Sequence, residues 1–206
     1  MIQGSEEWLQ ARCGRVTASR VADIIAKTKT GYGASRANYM AELIAERLTG
    51  EPTRGFTNAA MEWGTANESG ARWAYEFLHD VTVEEVGFIP HPQIATAGAS
   101  PDGLVGTDGL VEIKAPNTAT HIDTLLSGTI PGKYVTQMLW QMACTDRQWC
   151  DFVSYDPRLP ASMRVFVKRL HRDEDQIKTL EAEVIKFLYE LEEKLTALRA
   201  YQKDAA

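Results

Sequence analysis

The chain is poor in soft metal ligands. Cysteine occurs three times in 206 residues, at Cys13, Cys144 and Cys150, with no Cys-x-x-Cys pair. Any pairing leaves one over, so a disulfide framework is disfavoured and a reduced, cytoplasmic compartment is the simpler expectation. A cysteine-rich zinc or iron–sulfur site is disfavoured on the same ground. Histidine is equally sparse: His79, His91, His121 and His171 stand singly, without His-x-His or His-x-x-x-His spacing, and read as surface or core residues. No stretch approaches the ~20 consecutive apolar residues of a membrane span. No internal repeat or low-complexity tract is present, and the opening MIQGSEEWLQAR is polar and acidic, unlike a secretory leader.

What remains is an ordinary globular composition, 44% hydrophobic and 24% charged, sufficient for a real core and expected to form one domain over residues 1–206. The net charge of −6 argues against a large non-specific DNA-binding surface. Its distribution weakens that argument: residues 1–36 carry six basic groups against three acids, whereas residues 173–206 carry nine acids and five bases.

Periodicity divides the chain. In TASRVADIIAKT, Thr17 is a candidate N-cap, with Val21, Ile24 and Ile25 at helical spacing; SRANYMAELIAERLTG repeats the pattern with Met40, Leu43, Ile44 and Leu48 and a Gly50 stop. TKTGYGAS between them reads as a flexible loop. A longer helical stretch follows, holding Trp63, Trp73, Phe77 and Leu78. VTVEEVGFI, QIATAGAS and GLVEIKA then have the composition of strands, and GTDG (106–109) reads as a tight Asp-Gly turn. PGKYVTQMLWQMACT is helical, with Val135, Met138, Leu139 and Met142 on one face and Lys133, Gln137, Trp140 and Gln141 on another. WCDFVSY and MRVFVKRL return to strand. From about Asp173 to Lys203, Ile177, Leu180, Val184, Leu188, Leu191, Leu195 and Leu198 mark a long amphipathic helix, read as a packed outer helix. This order predicts an α/β fold with a mixed central sheet flanked by helices.

One segment concentrates chemistry. In ASPDGLVGTDGLVEIKAPN (99–117), strand alternation sends Val111 and Ile113 to one face and Glu112 and Lys114 to the other, toward a cleft. The turn would return Asp102 beside Glu112. Two converging carboxylates repel unless a cation lies between them, and hard oxygen donors favour Mg²⁺ or Mn²⁺; the Ile113 carbonyl is a further candidate ligand. Glu-x-Lys alone would occur by chance in about half of chains this long. The added SPDG, the apolar flanks and a glutamine on the following helix make the combination much rarer.

SPDGL…GLVEIKAP resembles the PD-(D/E)xK nuclease signature, in the form found in the lambda exonuclease and YqaJ-like viral recombinase family. ARCGRVTASRVADIIA, EWGTANESGAR, KYVTQMLWQM and FVSYDPR resemble further segments of that family, in family order, over roughly residues 8–170. The resemblance implies a restriction-endonuclease-like core: a helical N-terminal part with phosphate-end residues (1–80), a nuclease core (81–170) and a C-terminal helix (171–206). It also assigns roles. Asp102, Glu112 and the Ile113 carbonyl correspond to metal ligands, and Glu68 to an additional acid acting through a metal-bound water. Lys114 corresponds to the lysine that orients or deprotonates the attacking water, Gln137 to the active-site glutamine, and Arg12, Ser19 and Ser100 to residues that gather a 5′-phosphate. Asp108 has no counterpart and is read as the turn residue; without the resemblance, Arg12 would suit a salt bridge with Glu6 or Glu7.

The implied activity is a Mg²⁺-dependent 5′-to-3′ exonuclease on linear double-stranded DNA, with Mn²⁺ as a substitute and two ions during catalysis. A homotrimeric ring and a single-strand annealing protein as recombination partner are implied with it, as is a bacterial cytoplasmic setting of phage or prophage origin. The competing readings are another nuclease of the same fold, or a non-catalytic DNA-binding protein. The latter predicts a broken acid set, whereas Glu68, Asp102, Glu112 and Lys114 are all present.

Overall fold

The computed structural model describes residues 1–53, 55 and 58–204; positions 205 and 206 of the expected C-terminal helix lie outside the described residues. The first helix, α1 (Glu6–Arg12), starts at Ser5, whose hydroxyl accepts the Trp8 N–H. The segment expected to be one helix capped by Thr17 is instead the strand β1 (Val16–Thr17), a 3-10 turn (Ala18–Arg20) and a short α2 (Val21–Ile25). Thr17 forms no side-chain cap; it is buried in a strand pairing, and its N–H donates to the Tyr39 hydroxyl at 3.1 Å. The expected loop contains a small hairpin, β2 (Lys27–Thr28) and β3 (Gly31–Tyr32). Then come α3 (Ala34–Thr49), stopped at Gly50 as read from the sequence, and α4 (Ala59–His79).

The strands of the middle region are shorter than their composition suggested: β4 (Val83–Glu84), β5 (Ile89–Pro90), β6 (Ala97–Ala99) and β7 (Gly103–Val105). The 106–109 turn joins β7 to β8 (Gly109–Lys114), but the left-handed residue is Gly106 (φ 55°), not the Asp-Gly pair. Gly109 is needed for a different reason: a Cβ there would lie 2.0 Å from the Trp149 ring. The chain finishes with α5 (Thr118–Ser127), α6 (Gly132–Thr145), β9 (Trp149–Tyr155), β10 (Val165–His171) and α7 (Glu174–Asp204).

The larger sheet has the order β10-β9-β8-β7-β4. It is mixed: β8 and β9 run parallel, with α5 and α6 in the crossover between them, and the other pairings are antiparallel. A second sheet, β1-β6-β5, carries the N-terminal strand. Alternation along β8 determines which helix covers which face. Val111 and Ile113 pack with Ala71 and Tyr75 of α4, while Leu110, two residues before Glu112, joins the larger core built from α2, α3, α6 and α7.

The C-terminal half of α6 is therefore enclosed on all sides. Residues 138–144 are all buried, so Trp140 and Gln141, placed by periodicity on a face apart from Met138 and Leu139, are equally inside. Trp140 packs against His91 with the rings tilted by 30° and donates its Nε1–H to the Gly98 carbonyl. On α4, Trp73 and Phe77 stack on each other yet remain mostly exposed, as does Leu78.

The uneven charge distribution resolves into contacts. Three acids of α7 meet three bases of the N-terminal region: Glu183 with Lys27, Glu190 with Arg36, and Glu192 with Arg47. The acidic end of the sequence thus lies against its basic beginning. Beneath those pairs, Phe187 is fully buried and stacks on Tyr39 at 5.8 Å between ring centroids. Phe187→Ala should lower folding stability by about 3–5 kcal/mol, measured by urea denaturation, because it empties an enclosed aromatic site; a loss under about 1 kcal/mol would mean that α7 is not integral to the core.

Candidate active site

Hairpin pairing places Gly103 opposite Val111, which brings the preceding residue, Asp102, to the level of Glu112 and Ile113. The Asp102 Oδ2 atom accepts the Ile113 N–H at 2.6 Å. Across the sheet face, α6 lays two amides on one carboxylate: Gln137 Nε2 donates to Glu112 Oε1 and Gln141 Nε2 to Glu112 Oε2, each at 2.6 Å. Lys114, two residues along the same strand face, pairs through its ammonium with Glu112 Oε1. Asp102, Glu112, Ile113, Lys114 and Gln137, all read from the sequence, therefore meet at one place.

One detail differs from expectation. Glu112 does not open onto a cleft; none of its surface is exposed, because α6 closes over it. The cleft, about 540 Å³, is bordered by Asp102, Ile113, Lys114, Lys133 and Tyr134 on one side and by Thr65 and Glu68 of α4 on the other. Glu68 thus shares the cleft with Asp102, as expected, and its carboxylate is steadied by Arg72 NH2 at 3.0 Å. At the far end of β9, buried Asp156 holds the Arg158 guanidinium through two hydrogen bonds of 2.7 and 3.0 Å and its backbone N–H through a third, and Arg158 lies over the Trp63 ring of α4.

A second pocket of about 160 Å³ adjoins the first and shares Asp102 with it; Arg12, Ser19, Ser100 and Gln137 also line it. The three residues assigned to a phosphate end are thereby collected beside the acids. Arg12 lies over the Trp8 ring at 3.9 Å, and Trp8 Nε1 donates to Ser100 Oγ at 2.9 Å, so one indole steadies both. Trp8 had no sequence signal beyond its position in α1.

The electrostatics are those of two acids crowded around too little positive charge. Burial, with the neighbouring Glu112 charge adding to it, pushes the Asp102 carboxyl up to about 8, against relief from Lys114. Burial opposes the Lys114 charge, but Glu112 and Asp102 outweigh it and hold the ammonium above the ordinary lysine range. The donor set, two carboxylates and backbone or water oxygens, suits a hard divalent cation, and the raised Asp102 is the imbalance such an ion would relieve. Among the described residues no group of three or more His, Cys, Asp or Glu side chains converges.

This is a restriction-endonuclease-like α/β fold with its acids and lysine at the β7–β8 hairpin, the architecture shared with solved exonuclease structures. Residues 7–148 match the YqaJ-like viral recombinase domain, and the chain belongs to that family. It is 53% identical to the alkaline exonuclease LHK-Exo of Laribacter hongkongensis, over 98% of this chain and 100% of that one, with a TM-score of 0.92. The structure of LHK-Exo in complex with dAMP gives the same values. A phage-related exonuclease from Haemophilus somnus 129PT is 14% identical, with a TM-score of 0.70 over 89% of this chain and 96% of that one, a likeness of fold alone. No curated protein sequence matches the chain. The resemblance read from the motifs is thus borne out at the level of family and fold. No helix among the described residues is long and apolar enough to cross a membrane.

The raised Asp102 has a measurable consequence. In the metal-free folded chain it keeps a proton that an unfolded aspartate, at its ordinary 3.8, has lost, so stability falls as pH rises toward about 8 and levels off above. Asp102→Asn retains the acceptor for Ile113 and removes the titration. In EDTA its melting temperature should decline less than that of the wild type between about pH 5 and about pH 8.5. Parallel curves would exclude Asp102 as the titrating group.

Proposed function

We propose that the protein is a Mg²⁺-dependent 5′-to-3′ exonuclease that hydrolyses the 5′-phosphorylated strand of linear double-stranded DNA, leaving a 3′ single strand for recombination by annealing. Family membership and 53% identity to an alkaline exonuclease support a nuclease of phage-type recombination. LHK-Exo has been crystallised with dAMP, a nucleoside monophosphate of the kind that exonucleolytic cleavage releases. The observation that carries the finer reading is the adjacency of two pockets that share Asp102: one with Glu68 and Lys114, the other with Arg12, Ser19 and Ser100.

In this reading Asp102, Glu112 and the Ile113 carbonyl hold Mg²⁺, with Mn²⁺ able to replace it, and Glu68 assists through water. Two such ions during the reaction would supply charge stabilisation for an in-line displacement at phosphorus and ease the deprotonation of water. The chain's own groups do the rest. Lys114, which pairs with Glu112, orients or helps deprotonate the attacking water and adds positive charge as negative charge builds on the phosphate oxygens. Gln137 fixes the Glu112 oxygen nearest Lys114. Arg12 grips the terminal phosphate with its planar donors, and the hydroxyls of Ser19 and Ser100 complete the pocket.

A ring of three copies would let a DNA end pass through while an acidic exterior faces solvent. It accommodates the net charge of −6, much of whose acidic α7 is already paired with the N-terminal bases. A single-strand annealing protein is the partner that such a product requires, and the host cytoplasm is the setting that free thiols and a DNA substrate suit.

Purified protein with Mg²⁺ should degrade linear duplex, prefer 5′-phosphate over 5′-hydroxyl ends and leave closed circles intact. Rapid cutting of closed circles would indicate an endonuclease, and absence of any Mg²⁺-dependent degradation a binding protein. Lys114→Ala should reduce the rate by about 10²-fold or more while DNA binding persists. Arg12→Ala should chiefly erase the difference between phosphorylated and unphosphorylated ends; an unchanged preference removes Arg12 from the phosphate site.

A further inference from the structure

Gln141 lies one helical turn beyond Gln137 and has no exposed surface. The i, i+4 spacing places both amides on the same carboxylate, but on different oxygens with different surroundings. Glu112 Oε1, which takes Gln137, also meets Lys114, and both of those residues border a pocket. Glu112 Oε2 takes the fully buried Gln141 at 2.6 Å. The other end of the Gln141 amide is also engaged, since the Cys150 thiol donates to its Oε1 across 3.9 Å. The carboxylate can only accept, so it is the amide nitrogen of Gln141 that faces Glu112, and the Cys150 contact is compatible with that orientation. A glutamine is neutral, so it orients the carboxylate without cancelling its charge. A lysine or arginine in its place would set a second positive charge on Glu112 beside that of Lys114.

We propose that Gln141 is a positioning residue that pins Oε2 of Glu112, so that Oε1 is held toward Lys114 and available to the divalent ion. The proposal rests on the nuclease reading given above and names a residue the motif comparison left without a role. Partners that orient a metal ligand typically contribute about 10–100-fold in metal affinity.

The test compares the wild type with Gln141→Met, which is similar in length but lacks the donor, and Gln141→Asn, which keeps an amide one methylene too short. Three quantities are read: Mn²⁺ binding by calorimetry without DNA, the melting temperature in EDTA, and the Mg²⁺ dependence of linear-duplex degradation. Both variants should bind Mn²⁺ about 10-fold or more weakly and need correspondingly more Mg²⁺ for half-maximal rate, while much of the rate returns at saturating Mg²⁺. If Gln141→Met does not fold, Gln141→Asn carries the same expectation. A folded variant with wild-type Mn²⁺ affinity and Mg²⁺ half-saturation, whatever its melting temperature, makes Gln141 a packing residue and overturns the proposal. That failure is distinct from a wild type that neither binds Mn²⁺ nor degrades DNA, which overturns the nuclease reading and this one with it.

Discussion

A carboxylate with no solvent-exposed surface, Glu112, is the constraint around which the molecule is arranged. A buried charge left unpaired costs several kcal/mol, so the chain surrounds this one with two amides from α6 and the ammonium of Lys114. Those contacts tie β8 to α6 across the larger core. The same strand face that carries Glu112 also carries Leu110 into that core, so packing and electrostatics hold β8 in the same register. The hairpin then brings in a second acid, Asp102, which the three donors on Glu112 do not satisfy. Its raised carboxyl is the unrelieved remainder of the arrangement and the feature that directs attention to a cation.

The periphery serves this centre. On the other face of the sheet, α4 packs Ala71 and Tyr75 against Val111 and Ile113, and from the same helix Glu68 reaches the cleft. The N-terminal helices contribute Arg12 and Ser19, which lie near the acids because β1 pairs with β6, and β6 leads directly to Ser100 and Asp102. The C-terminal helix α7 bears no site residue. It buries Phe187, Leu191 and Leu195 and neutralises the bases that would otherwise crowd the N-terminal region.

Much of this was legible beforehand. Alternation in GLVEIKA and the spacing back to SPDG located the acids and the lysine, and the following helix offered Gln137; the role of Gln137 and the assignment of Arg12, Ser19 and Ser100 to a phosphate end came only with the family resemblance. The long terminal helix and the strands β9 and β10 followed from their own periodicity. The misreadings share a cause. Thr17 looked like a helix cap because local chemistry favours one, but pairing with β6 drew it into a strand. The α6 face bearing Trp140 and Gln141 looked distinct from its apolar face, but neighbours on every side buried both. Trp8 and Gln141 carried no motif, and their roles arise from contacts 92 and 29 residues away in the chain.

By itself, the sequence determined the kinds of residue available and their local geometry: which side chains share a strand face, which lie one helical turn apart, and that hard oxygen ligands outnumber soft ones. These are short-range properties, set by the 2.0- and 3.6-residue repeats of backbone structure. Only the tertiary structure decided that Glu112 is closed off while Asp102 and Lys114 reach the cleft, and that Arg12, Ser19 and Ser100 gather next to them. Exposure and the coupling of charges depend on which distant elements pack together, and no spacing along the chain encodes that.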